Sequence, residues 1–171
     1  MSAPHSLTAE RVREILSYNQ TTGQFVWLQD RRTGRGKGRL QISAGTVAGG
    51  KDGRYQSIGI DGKTYWAHRL AFLMVTDAWP TKHVDHIDGN PMNNAWGNLR
   101  DVSRSVNMQN RYAAPSTSTH GFLGVTKNHK RFLAQIRFDS KYRYLGTYDT
   151  PQEAHEAYLS AKRQFHEGNM L

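Results

Sequence analysis

The chain has 171 residues, with 23 Lys and Arg against 14 Asp and Glu, 8 His and no Cys. A formal net charge of +9 points to a polyanionic partner, nucleic acid or an anionic membrane surface, and the lack of Cys excludes disulfides, thiolate catalysis and Cys-ligated zinc. The longest unbroken apolar run, Leu70 to Val75, falls far short of the roughly 20 residues of a spanning helix, which sets the membrane aside. No basic-then-apolar segment opens the chain, so signal-peptide export is not expected. The length suits one domain or two small ones, and 4 Trp, 8 Tyr and 6 Phe supply enough aromatic area for small cores.

In chain order, residues 8–17 predict a helix capped by Thr8, with Val12, Ile15 and Leu16 on one face. Phe25-Val26-Trp27 predicts a strand. Residues 29–41 carry five basic residues and one acidic residue among three Gly. Such a stretch has little to bury and predicts a mobile loop, either a solvated linker or a basic arm that tracks phosphates through Arg31, Arg32, Arg35, Lys37 and Arg39. Tyr55 to Ile60 and Lys63 to Ala67 flank Asp61-Gly62, a strong two-residue hairpin signal. His68 to Val75 predicts a buried helix that ends near Trp79-Pro80. Residues 113–119, AAPSTST, predict a linker and the main domain boundary. Beyond it, Gly121 to Val125, Arg131 to Phe138 and Tyr142 to Tyr148 predict three strands. In the second strand Phe132, Ala134, Ile136 and Phe138 alternate with Arg131, Leu133, Gln135 and Arg137. Thr150-Pro151-Gln152-Glu153 then opens a helix as a capping box with Pro at its first position.

The chemistry is concentrated in residues 84–110. Asp85-His86 sets a hard oxygen ligand beside a group that titrates near neutrality. Asp88-Gly89-Asn90 turns the chain. Asn98-Leu99-Arg100 can return as a strand, and Ser103 can cap a helix that contains Asn107. These residue types suit phosphodiester hydrolysis, which needs a base for water and a cation for the developing charge. Asp, His and Asn are poor core residues, so packing alone does not call for them. Of the remaining residues here, His68 reads as a packing residue, His83 as a surface residue or else a contact to phosphate or the site, and Asn93 and Asn94 as turn formers or else helpers of the site.

On Asp85-His86, Asn98 and Asn107, residues 84–110 resemble the HNH nucleases of the phage homing-endonuclease branch. That signature is an Asp-His pair, a central Asn and a third His or Asn on the helix; here the third position is Asn107. The lead-in Tyr65-Trp66-Ala67-His68-Arg69-Leu70-Ala71 is similar too. The resemblance implies a small ββα-metal fold over residues 68–112, preceded by an N-terminal helix and strand region, 1–67. It implies that His86 is the general base and that Asn98 holds it in place. Asp85 and Asn107 would ligate one divalent cation, Mg²⁺ or alternatively Mn²⁺, with no zinc. The products would be 5′-phosphate and 3′-hydroxyl ends. Apart from the resemblance, Arg100, Arg104 and Arg111 read either as a clamp on phosphates near the cut or as ordinary solvated charge.

Residues 120–171 resemble the AP2 DNA-binding domain through Gly124-Val125, Ala134-Gln135-Ile136-Arg137, Tyr144-Leu145-Gly146-Thr147-Tyr148 and the helix after Thr150. The implied fold is a three-stranded antiparallel sheet packed on one helix, with the sheet laid in the major groove. Its contact residues would come from Arg131, Gln135 and Arg137, joined by Lys127, Lys141 and Arg143. The whole chain is then expected to be α+β. Its expected function is that of a metal-dependent, site-targeted HNH endonuclease acting on double-stranded DNA, phage or prophage encoded, in the host cytoplasm, as a monomer or homodimer. The alternative is a non-catalytic, sequence-specific DNA-binding protein that retains an HNH scaffold. The charge itself generates a test. Affinity for duplex DNA should fall with salt at a log–log slope of about −0.9 per neutralised phosphate; a slope near zero would remove the electrostatic account.

Overall fold

A computed structural model describes residues 7–33, 40–110, 114, 118 and 120–166. It is a mixed α+β structure that divides into two compact units, 1–101 and 102–171. The division falls ahead of the 113–119 linker and inside the 68–112 segment. None of its described helices is long and apolar enough to cross a membrane.

In the first unit, α1 (Ala9–Ile15) is capped by Thr8, whose side chain accepts from the Arg11 amide, and it buries Ala9, Val12 and Ile15. The helix stops before the expected residue 17 because the next residues pair. β1 (Leu16–Tyr18) is antiparallel to β2 (Phe25–Trp27), with Leu16 opposite Trp27 and Tyr18 opposite Phe25. The basic stretch has strands at both ends, β3 (Arg31–Thr33) and β4 (Leu40–Ile42), paired antiparallel. These arms differ from the mobile loop that composition predicts. Arg31 gains a local anchor there, its guanidinium stacked 3.8 Å from the Trp27 ring centre. Arg35, Lys37 and Arg39 lie outside the described residues.

β5 (Gly50–Asp52), β6 (Tyr55–Ile60) and β7 (Lys63–Trp66) form a second small sheet. The β6–β7 turn is the expected one, with Asp61 at φ 48° and Gly62 at φ 78°, as a two-residue primed turn requires. α2 (Ala67–Thr76) follows at once and buries Ala67, His68, Leu70, Ala71, Phe72 and Leu73. Its apolar face joins Val12, Leu16, Phe25, Ile58, Ile60 and Leu99 in one core. Each such side chain stabilises the unit by about 1.5–3 kcal/mol through burial. β8 (His83–His86) and β9 (Leu99–Val102) then pair, linked by residues 87–98 and a short 3₁₀ turn at Trp96–Asn98.

The second unit contains α3 (Arg104–Gln109), capped by Ser103 as the sequence suggests. It also holds a three-stranded antiparallel sheet of β10 (Val125–Asn128), β11 (Arg131–Phe138) and β12 (Lys141–Tyr148). The first strand begins later than expected. Gly124 is left-handed at φ 73°, so extended pairing starts only at Val125. α4 (Pro151–Phe165) has the full capping box of Thr150 and Glu153. Leu123, Ile136, Tyr158 and Ala161 make the core of this sheet and helix.

Register assigns the two sheet faces. Arg137 is opposite Tyr142 and Gln135 opposite Tyr144, after a bulge between Ala134 and Gln135. Arg131, Leu133, Gln135 and Arg137 therefore share the open face with Tyr142 and Tyr144, which are 68% and 66% exposed. Lys127 is opposite Phe132, Lys141 opposite Phe138 and Arg143 opposite Ile136. These three basic residues fall on the helix side, and Arg143 stacks over Phe138 and Phe165 at 4.9 and 5.2 Å.

Gly124 provides a test of the sheet–helix contact. A Cβ there would overlap the Tyr158 ring. Gly124→Ala should lower the stability of the second unit by about 1–3 kcal/mol, as overpacking does, read as a fall in its denaturant midpoint. An unchanged midpoint would contradict the packing described.

Candidate functional site

The β8–β9 connection is built from short polar side chains that bond their own backbone. The His86 carbonyl accepts from the Gly89 amide at 2.9 Å, and the Ile87 amide donates to the Asn98 carbonyl at 2.9 Å. Asp88 Oδ1 accepts from the Asn90 amide, and Asn90 Oδ1 from the Met92 amide, at 2.8 and 3.1 Å. These are Asx turns, the use to which Asp and Asn are suited in tight loops. Asn98 closes the loop. Its Oδ1 accepts from the Asp88 amide, and its Nδ2 donates to Asp88 Oδ1 and the Asn93 carbonyl, all at 2.8–2.9 Å. Burial raises the Asp88 carboxyl, but bonds from Asn93, the Asn90 amide and Asn98 outweigh it and hold the group below the ordinary carboxylate range.

Asp85 and His86 end β8 at 6% exposure each. Asp85 Oδ2 accepts a fork from Arg100, Nε at 2.9 Å and Nη2 at 2.8 Å. The strand pairing that brings β9 beside β8 therefore also places a guanidinium on the carboxylate. His86 Nε2 lies 3.3 Å from Asn94 Oδ1, and Asn94 is only 1% exposed. Burial lowers the His86 pKa from its ordinary value. The Asn94 bond and the carboxylates of Asp88 and Asp85 offset part of that shift. A neutral ring at neutral pH is the form that accepts a proton.

Rings surround this histidine. His68 meets it edge-on at 5.2 Å between centres, and Tyr55 lies 5.2 Å from His68 and 6.1 Å from His86. His68 is 7% exposed, and its Nδ1 has no hydrogen-bond partner among the described residues. It is thus packed, as the sequence suggests, but not satisfied. Burial, with His86 and Arg69 as lesser causes, pushes its pKa down to about 3.

The structure brings Asp85, His86, Asn98 and Arg100 together within the first unit. Asn107 and Arg104 stand on α3 in the second unit. Arg111 lies outside the described residues. The resemblance implies that Asn98 holds His86; the Asn98 side chain bonds Asp88 and the Asn93 carbonyl, and Asn94 Oδ1 lies beside the imidazole. Nothing in the spacing separates Asn94 from the turn-forming Asn93 beside it. Gln56, which accepts from Asn94 Nδ2 at 2.9 Å, comes from a distant strand and leaves no local signal.

No group of three His, Cys, Asp or Glu among the described residues is arranged to cage a metal ion. The hard oxygen donor at this site is the Asp85 carboxylate, whose Oδ2 is bonded to Arg100; a cation such as Mg²⁺ takes oxygen ligands of this kind and completes its shell with water and substrate phosphate.

A family model described as an HNH endonuclease matches residues 65–109, from β7 to the end of α3. The ethylene-responsive transcription factor ERF117 of Arabidopsis thaliana is 41% identical over 70 residues, covering 39% of this chain and 21% of the relative. The chain therefore spans about a fifth of the length of that relative. No solved structure matches the chain. The domain match over 65–109 supports a nuclease.

The two buried histidines set a pH dependence for stability. The unfolded chain takes up these protons near pH 6.5, while burial prevents the folded chain from doing so until lower pH. The unfolded state then binds more protons, and stability falls as pH falls below about 6.5, by up to about 1.4 kcal/mol per pH unit per histidine. Urea midpoints of the first unit at pH 7.5 and 5.5 should show the fall, and His68→Phe should flatten it. Equal slopes in both proteins would contradict the buried state of His68.

Proposed function

We propose that this chain is a metal-dependent HNH endonuclease that hydrolyses phosphodiester bonds in double-stranded DNA at a targeted site. The observation that carries this reading is His86, buried, neutral and held by a side-chain amide next to the Asp85 carboxylate, in the stretch that matches the HNH endonuclease model. His86 takes the proton from the attacking water. Asp85 offers its carboxylate to a divalent cation, and Asn107 keeps the ligand role that the resemblance implies. When bound, the cation supplies charge stabilisation to the phosphate and the leaving 3′ oxygen. Asn98 keeps the turn closed, which fixes where β8 ends and so where His86 stands. The products on this reading are 5′-phosphate and 3′-hydroxyl ends.

Targeting falls to the second unit. The plant relative is named a transcription factor, and the β10–β12 sheet presents Arg131, Gln135 and Arg137 with two exposed tyrosines on its open face. Arg can pair bidentately with guanine and Gln with adenine in the major groove. Arg131 is partly committed, since it pairs with Asp149 at 2.8 Å and donates to the Thr147 carbonyl. Gln135 and Arg137 are therefore the stronger candidates for base contact. Lys127, Lys141 and Arg143, on the helix side, suit phosphate contact at the rim. One such centre cuts one strand at a time, so a monomer nicks and a homodimer breaks both strands. A phage or prophage gene acting in the host cytoplasm, as in the homing branch, completes the reading.

One observation favours a non-catalytic DNA-binding protein: the Arg100 fork occupies a carboxylate oxygen that a cation would use. A single experiment separates the two. The purified protein is incubated with phage or host genomic DNA and supercoiled plasmid, in Mg²⁺, Mn²⁺ or EDTA, beside Asp85→Ala and His86→Ala. The nuclease reading expects cuts that need the metal, and a loss of at least about 10²-fold in His86→Ala. Salt-sensitive duplex binding without cutting in any metal would favour the binding protein.

A further inference from the structure

On the reading of His86 as the base, we propose that Asn94 is the positioning residue that fixes the tautomer of His86, and that the β1–β2 hairpin holds Asn94 in place. Two backbone carbonyls fix the orientation of every amide in the chain of contacts. Gln56 Nε2 donates to the Ala48 carbonyl at 2.9 Å. A carbonyl only accepts, so this atom is the amide nitrogen and Gln56 Oε1 faces the other way. Asn94 Nδ2 donates to that oxygen at 2.9 Å and to the Met92 carbonyl at 3.3 Å. Asn94 Oδ1 is then the atom that faces His86 Nε2 at 3.3 Å. An amide oxygen cannot donate, so Nε2 carries the ring proton. In a neutral imidazole the basic lone pair is then on Nδ1. The proton-accepting atom of the base is in this way set by carbonyls at Ala48 and Met92, through the half-buried Gln56 amide and the buried Asn94 amide.

The Asn94 backbone is fixed from a separate direction. Tyr18 Oη donates to the Asn94 carbonyl at 2.7 Å. Burial raises the Tyr18 phenol to about 12, so it stays a donor throughout the physiological range. The Trp96 amide donates to the Gln20 carbonyl at 2.8 Å. Gly23, left-handed at φ 73°, lies so close that a Cβ would overlap the Asn94 carbonyl carbon and the Ala95 nitrogen. Tyr18, Gln20 and Gly23 all belong to the hairpin and its turn. The N-terminal hairpin is thus part of the support of the base.

The test uses the full chain labelled with nitrogen-15 and a long-range proton–nitrogen spectrum of its imidazoles at pH 7.5, with His86→Gln to assign the resonance. The wild type should show His86 protonated on Nε2. Asn94→Ala should lose that tautomer, and Asn94→Asp, which keeps an acceptor, should retain it. Single-turnover cleavage should fall by about 10²-fold in Asn94→Ala, at unchanged DNA affinity, and recover in part in Asn94→Asp. Gly23→Ala should act in the same direction from outside the site. A wild-type ring protonated on Nδ1 overturns the proposal, and so does an Asn94→Ala protein with an unchanged tautomer. The wild-type spectrum decides the matter even if Asn94→Ala fails to fold. A wild type that cuts no DNA yet shows the Nε2–H tautomer, lost in Asn94→Ala, removes the nuclease reading and leaves the positioning role standing.

Discussion

The candidate site depends on one buried amide. Asn94 is 1% exposed and bonds His86, Gln56 and Met92 with its side chain, while Tyr18 holds its carbonyl. A buried polar side chain stabilises a fold only when its hydrogen bonds are made. This constraint forces three distant segments together: the hairpin at 16–27, strand β6 at 55–60 and the loop at 87–98. Each segment needs the others to satisfy its polar groups. The histidine meets that network through Asn94 Oδ1 and packs against the rings of His68 and Tyr55.

The same logic explains why the loop is so rich in Asn and Asp. A twelve-residue stretch of apolar residues could not have turned here without leaving backbone donors unpaired. Asp88, Asn90, Asn93 and Asn98 instead satisfy one another and the backbone amides. The loop is rigid through bonding, and the rigidity ends at Asp85 and His86. Next to it, the Arg100 fork offsets the charge of a nearly buried carboxylate, which would otherwise be costly to keep ionised. The second unit follows a different rule. Its sheet buries Ala134, Ile136 and the helix face, and leaves arginine, glutamine and tyrosine open on the other side.

Strong local signals made part of this legible from sequence. Asp61-Gly62 sets a turn by backbone geometry alone, the Thr150–Glu153 box sets a helix start, and the alternation of β11 sets two faces; all three are found. The Asp85-His86 strand end and the Ser103 cap are local as well. What was not legible is set by partners far along the chain. β3, β4 and β5 are three residues each, too short for periodicity, and exist because a neighbour pairs with them. The sides taken by Lys127, Lys141 and Arg143 follow from register across strands, which a single strand does not display. Asn94 differs from Asn93 only in what it meets, and Gln56 and Tyr18 meet it only in three dimensions.

On the proposed function, His86 activates a water molecule against a phosphodiester. Cleavage of a mapped oligonucleotide duplex in heavy-oxygen water, followed by mass spectrometry of both ends, tests this most directly. Attack by water puts one heavy oxygen on the new 5′-phosphate and leaves the 3′-hydroxyl unlabelled. A label on a 3′-phosphate, an unlabelled 5′ end or a covalent protein–DNA adduct would contradict it.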